Sequence, residues 1–105
     1  MTEYDSIPYA TRQSLVRYLR DGIDPGSFLY AVLTNNLADA VGRADKENLP
    51  ALKTIVMFLR NRVPSLCHGS VSDYRRWTRD PELRAECMSY PEGIKALDIL
   101  NGTFQ

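Results

Sequence analysis

The chain has 105 residues, enough for one small domain that buries a core without metal or disulfide staples and too few for two. Hydrophobic residues at 44% and charged residues at 25% are ordinary for a globular protein, and no run approaches the about 18 consecutive apolar residues of a membrane-spanning helix. Thirteen basic residues balance thirteen acidic ones, which excludes a strong overall field toward nucleic acid.

Proline and glycine punctuate the chain into short segments, and none between them keeps the alternation of a strand. A first helix is predicted over Tyr9 to Asp21, with Leu15, Val16 and Leu19 inward and Arg12, Arg17 and Arg20 free to face solvent or a partner. Gly22 is its natural stop, and Ile23 is expected to fold back as the hydrophobic contact of that stop. The turn Asp24-Pro25-Gly26-Ser27 then opens a second helix that runs to Gly42 or Ala44, with Ser27 or Asp24 satisfying free amides. At about 100° per residue, Leu29, Leu33, Leu37, Ala40 and Ala44 share one side of this helix, while Asn36, Asp39 and Arg43 line its edge.

Asp45-Lys46-Glu47-Asn48 is a polar connection in which Asn48 is expected to cap a third helix carrying Pro50 in its first turn and Leu52, Ile55, Val56, Leu59 and Val63 at helical spacing. Pro64 closes it, and Ser65 to Ser70 reads as a loop. A short fourth helix follows in VSDYRRWTRD, with Val71, Tyr74 and Trp77 near one side and Arg75, Arg76 and Arg79 around the rest. Two further short helices, Pro81 to Ser89 and Pro91 to Leu100, open with proline and glutamate as helix N-termini prefer, and the tail from Asn101 to Gln105 is expected to fray. The last two are too short to stand alone, so they cap the bundle or join a partner chain. The expected fold is all-α, a compact single-domain bundle of about four to six short helices over residues 1–105.

The start, MTEYDSIPYATR, lacks the basic residues and apolar run of a secretory signal, so a cytoplasmic location with reduced thiols is expected. Cys67 and Cys87 with a single histidine do not make a zinc site, and neither a metal nor a cofactor is expected. Cys67 and His68 are adjacent, but neighbouring side chains diverge and no third group is placed to orient the imidazole. No phosphate loop, dinucleotide fingerprint or HExxH motif occurs, so a non-catalytic protein is expected.

Anion binding has better support. Ten of the thirteen basic residues are arginine, a bias toward planar, bidentate pairing with carboxylate or phosphate. Gly26 and Ser27 put small residues at a helix start, where free amides favour phosphate, and His68-Gly69-Ser70 is a second such place. Behind it, Tyr74, Arg75, Arg76, Trp77 and Arg79 interleave aromatic faces with guanidinium groups, a pattern suited to a nucleotide. Each feature has a structural reading beside it: serine and glycine also cap helices, and tyrosine and tryptophan at i and i+3 also fill cores. Asn36, Asp39 and Arg43 are likewise open to two readings. Asp39 precedes Arg43 by four residues, the favourable order for an intrahelical pair, or it orients Arg43 toward a ligand or a second subunit while Asn36 supplies hydrogen bonds.

The runs IPYATRQSLVRYL, GIDPGSFLYAVLTNNLADAVGRADKEN, ALKTIVMFL and PSLCHGS resemble a group of small phage and prophage proteins. The resemblance covers residues 1–78 as a family-like core and leaves 79–105 as a C-terminal extension; its most specific part is PGSFLYAVLTNNLADAVGRAD. His68 departs from the pattern by standing where an aromatic residue such as tryptophan is expected. The resemblance implies a viral origin and brings no catalytic residues. It suggests an anti-defence protein that sequesters a small phosphorylated, nucleotide-type signal, as oligomeric phage proteins with pockets between subunits do. The alternative is an antagonist that binds a host defence protein directly, in the manner of anti-CRISPR proteins. A helix-turn-helix regulator using the second and third helices fits less well with zero net charge and an apolar third helix. Gly26, Ser27, Asn36, Asp39, Arg43, His68, Tyr74, Arg75, Arg76 and Trp77 are the candidate ligand-binding residues. No membrane partner is expected, and a homo-oligomer would follow if the pocket lay between subunits.

Overall fold

The structure, a computed structural model, describes residues 4–102. Seven α-helices run through them in the order α1 (Tyr9–Asp21), α2 (Ser27–Leu33), α3 (Leu37–Arg43), α4 (Asn48–Arg62), α5 (Val71–Arg79), α6 (Pro81–Ser89) and α7 (Pro91–Asn101). A single 3-10 turn, Ser65–Cys67, joins α4 to α5. The all-helical expectation is met, and the count exceeds the expected four to six because the predicted second helix is two. Residues 103–105 of the tail expected to fray lie outside the described residues; Asn101 closes α7, and Gly102 follows in the left-handed conformation.

The division falls at Thr34-Asn35-Asn36, three side chains that compete with the backbone for helical hydrogen bonds. Thr34 Oγ1 donates to the Tyr30 carbonyl at 2.8 Å. Asn35 takes a φ of 63°, a left-handed conformation that asparagine tolerates better than most residues. The Asn36 amide bonds back to Ala31 O at 2.8 Å, and its side chain accepts the Asp39 amide at 3.1 Å to start a new helix. Hydrophobic spacing continues across the break, but the chain direction does not. Leu29 and Leu33 are buried as expected, whereas Leu37 is 70% exposed and Ala40 is the buried residue of α3.

The core gathers around α1, which packs against α6 and α7. Its buried residues, Leu15, Val16, Tyr18 and Leu19, join Ile55, Phe58 and Leu59 of α4, Trp77 of α5, and Ala96, Ile99 and Leu100 of α7 in one cluster. The two C-terminal helices therefore cap the bundle from inside this chain. Burial of each of the large side chains among these stabilises the fold by roughly 1.5–3 kcal/mol. Gly93 lets α6 and α7 meet closely: a Cβ there would lie 2.6 Å from Met88 Cα and 2.8 Å from the Cys87 carbonyl oxygen.

Two buried polar side chains fix how these elements meet. Trp77 Nε1 donates to the Tyr18 carbonyl at 3.1 Å, and Tyr18 Oη donates to the Cys67 carbonyl at 2.6 Å. Tyr18 also stacks on Tyr74 at 5.4 Å between ring centres, and Tyr30 stands edge-on to Tyr74 at 4.8 Å. One ladder of rings thus ties α1, α2, α5 and the 3-10 turn together. Burial, ahead of the nearby Cys67 and Tyr74, pushes the Tyr18 phenol far above the usual tyrosine range, so it remains a hydrogen-bond donor.

Three local expectations need correction. Gly22 does end α1, with φ 70° and its amide on Tyr18 O at 2.9 Å, and the Ile23 amide reaches back to Arg17 O at 3.4 Å, but the Ile23 side chain stays 49% exposed. The Arg84 guanidinium occupies the space over Gly22 instead, where any Cβ would collide with it, and donates to the Trp77 carbonyl at 2.6 Å. Asn48 does not cap α4. Asp45 Oδ1 accepts the amides of Glu47 and Asn48 at 3.0 and 2.7 Å, while Asn48 Oδ1 accepts from Thr11 Oγ1 at 2.6 Å and so ties α4 to α1. In α4 itself Ile55 and Leu59 are buried, as is Val63 just past its end, but Leu52 is only half-buried and Val56 is exposed; Ala51 and Phe58 complete the inward row.

Replacing Tyr18 by Phe would strand the buried Cys67 carbonyl, at a cost of about 1–3 kcal/mol. Urea unfolding of Tyr18→Phe should show a lower midpoint with an unchanged slope. A midpoint equal to that of the parent would contradict this account of the ladder.

Candidate ligand cleft

The side chains left out of the core on α3 and α4 frame a cleft. In α4, Leu52, Val56 and Arg60 follow one another at i, i+4 and i+8, on a row beside the buried Ala51, Ile55 and Phe58. Across from them Ala31 and Val32 end α2, the turn at Asn35 and Asn36 follows, and Leu37 and Ala40 begin α3. The 3-10 loop closes one end with His68 and Gly69. The cavity holds about 360 Å³. Its aliphatic floor is interrupted by four polar side chains: Asn35, Asn36, Arg60 and His68.

The helix break places these groups. A continuous helix would give the Leu33 carbonyl to the amide of residue 37; here it accepts Gly69 N–H at 2.8 Å and pins the loop against the end of α2. His68 is thereby held half-buried, its imidazole N–H donating to the Leu59 carbonyl. Burial lowers the His68 pKa below its ordinary value, against smaller opposing effects of that hydrogen bond and of Asp73, so the ring is neutral at pH 7. Asn36 is occupied locally: its carbonyl caps α3 and its amide donates to Asp39 Oδ2 at 3.2 Å. The Asn35 and Arg60 side chains have no hydrogen-bond or ion-pair partner among the described residues.

Of the residues singled out by sequence, Asn36 and His68 meet in this cleft. Asp39 and Arg43 stand exposed on α3 beside it, with Asp39 bonded to Asn36 and no ion pair between Asp39 and Arg43 among the described residues. Gly26 and Ser27 sit at the other end of α2, about 10 Å away along a seven-residue helix. There the Gly26 amide already donates to Asp24 Oδ1 at 2.9 Å, and that carboxylate places negative charge where a phosphate would lie. The second small-residue start is also used internally, since Gly69 N–H serves Leu33 O and Ser70 Oγ accepts the Asp73 amide at 3.0 Å to cap α5.

Tyr74 and Trp77 belong to the core ladder, with Trp77 fully buried, so neither faces a ligand beside Arg75 and Arg76, which are exposed on the other side of α5. Burial together with the nearby Asp24 raises the Tyr74 pKa to about 12. Cys67 is enclosed, and burial pushes its thiol well above the usual range, which keeps it protonated beside a histidine engaged with Leu59. No group of three or more metal-ligating side chains occurs among the described residues.

Sequence reading missed Asn35 and Arg60. The signal for Arg60 was the second apolar row of α4, because Leu52 and Val56 point away from the row that fills the core and require another surface. No family model, curated protein or solved structure matches the chain.

His68 gives the fold a defined pH response. Its pKa is lowered on folding, so its contribution is complete above the unfolded value of about 6.5 and is lost as pH falls through the folded value. In thermal melts, the stability advantage of the parent over His68→Gln should shrink steadily from pH 7 to pH 5. An advantage that grows with acidification would contradict the buried, neutral imidazole.

Proposed function

We propose that this chain is a non-catalytic phage accessory protein that counters host defence by capturing a small phosphorylated, nucleotide-type ligand, and that the α2–α3–α4 cleft is where it does so. The observation that carries the reading is the meeting of an unengaged guanidinium, Arg60, with an unengaged amide, Asn35, over an aliphatic floor in a cavity of about 360 Å³. Small-molecule sites have this composition: a mostly apolar lining, a few convergent polar groups and a volume of roughly 300–1,000 Å³. Arg60 neutralises the phosphate, with Arg43 at the C-terminal end of α3 as a second cation, and Asn35 reads the polar edge of the base. His68, uncharged and bonded to Leu59, shapes the cleft wall. The two glycine-serine helix starts and the aromatic pair of α5 have no part in this version of the site. The cleft is built within one chain, so capture needs no second subunit.

Isothermal calorimetry against cyclic and linear nucleotides should find at least one ligand bound with micromolar or tighter affinity. Arg60→Ala should weaken it by about tenfold or more, the scale of one charge-assisted hydrogen bond, with an unchanged melting temperature. Silence across a broad panel would overturn the reading.

A second reading has its own observation. Leu37 and Val41, one turn apart on α3, are 70% and 47% exposed, and Arg43 flanks them. Apolar residues rimmed by arginine are the composition of a protein-binding hot spot. On this reading the chain antagonises a host defence protein directly. Val41→Glu, which lies outside the cleft lining, would then abolish capture of that protein and leave nucleotide binding intact.

A further inference from the structure

The ten arginines of the chain fall into two sets by what they touch. Arg12 donates to the Ile7 carbonyl, Arg17 to Ser14, Arg62 to Tyr4 and Arg84 to the Trp77 carbonyl, and Arg20 pairs with Asp21. Arg43, Arg60, Arg75, Arg76 and Arg79 have no such partner among the described residues. Arg60 lines the cleft, Arg43 ends α3, and the other three are all on α5.

At about 100° per residue Arg75, Arg79 and Arg76 lie within an arc of roughly 100°, with the hydroxyl of Ser72 between them. All four residues are exposed, and no acidic residue of α5 shares the arc. Asp73 is half-buried on another side, and Asp80 is engaged in capping α6 through the Leu83 amide at 3.0 Å. The helix dipole favours a cation in the last turn, but a lysine would satisfy it; three planar guanidiniums on one face present three bidentate donors.

We infer that this face of α5 is a docking surface for an acidic segment of a partner protein. Arg75 and Arg79 are separated by about 6 Å along the helix axis, the separation of carboxylates at i and i+4 on a partner helix. The same helix argues against single-stranded nucleic acid: Tyr74 and Trp77, its aromatic residues, are turned into the core and leave no ring for a base to stack on. The chain's zero net charge supplies none of the field that draws proteins to a phosphate backbone. This surface is separate from the cleft, and its test does not depend on the cleft's ligand.

The test uses the full chain and a fluorescent, alanine-rich helical peptide with glutamates at i and i+4, alongside the same peptide with glutamines and a DNA single strand and duplex of about 20 nucleotides. Fluorescence anisotropy at about 50 mM salt should show micromolar binding of the glutamate peptide, with the glutamine peptide and both DNAs at least about tenfold weaker. Arg75→Gln/Arg76→Gln/Arg79→Gln should lose at least about tenfold in affinity for the glutamate peptide with an unchanged urea midpoint. If the triple variant unfolds, Arg75→Gln and Arg79→Gln are measured singly, each expected to weaken binding about threefold. Undetectable binding of the glutamate peptide, undiminished binding by these variants, or tighter binding of either DNA would overturn the inference.

Discussion

The Leu33 carbonyl decides how the middle of this protein is arranged. In an unbroken helix it would bond one turn ahead; because Thr34, Asn35 and Asn36 interrupt the helix, it is free to accept Gly69 N–H instead. That one bond joins residues far apart in sequence and sets the loop between α4 and α5 against the end of α2. His68 is drawn under the cleft, and Ser70 is brought to the start of α5, where it caps the helix that carries Trp77 into the core. The break costs helical hydrogen bonds. Side-chain bonds of Thr34 and Asn36 recover part of that cost, and the long-range bond to Gly69 supplies a contact that a straight helix lacks.

The cleft follows from the same break. Redirected at Asn35, α3 packs on α2 and leaves Leu52, Val56 and Arg60 of α4 without a helix over them. The apolar rows of α4 divide the labour: Ala51, Ile55 and Phe58 hold the fold, and Leu52 and Val56 line the cavity. The arginines divide in the same manner, with Arg12, Arg62 and Arg84 engaged with the fold and Arg60 at the cleft and three others on α5 without partners among the described residues. Guanidinium groups not used by the fold are what a binding protein would offer, and the proposals for cleft and helix face both rest on this sorting.

Helix positions were largely legible in the sequence because caps and breakers are local. Gly22, Pro81 and Pro91 mark helix ends that α1, α6 and α7 reproduce. The break in the predicted second helix was hidden by its own hydrophobic spacing, since Leu33, Leu37 and Ala40 keep helical period while the backbone between them turns. Thr34-Asn35-Asn36 was the available signal, three consecutive side chains able to bond their own backbone. The polar edge of Asn36, Asp39 and Arg43 was visible from periodicity, but its pairing was not. Asp39 turns to Asn36 once Asn36 becomes a cap, a consequence of the break that spacing cannot show. Tyr74 and Trp77 had two readings by spacing alone, and the depth of the core beneath α5, to which α1 contributes Tyr18, decides between them.

Amide hydrogen exchange in the native protein tests this arrangement most directly, because the broken and unbroken helices protect different protons. The broken helix predicts that the Gly69 amide, donated to Leu33 O, exchanges slowly, while the Leu37 amide, first in α3 and without an acceptor among the described residues, exchanges fast. A protected Leu37 amide with a freely exchanging Gly69 amide would mean that the helix runs straight through Asn35, and the cleft and the placement of His68 would fall with the break.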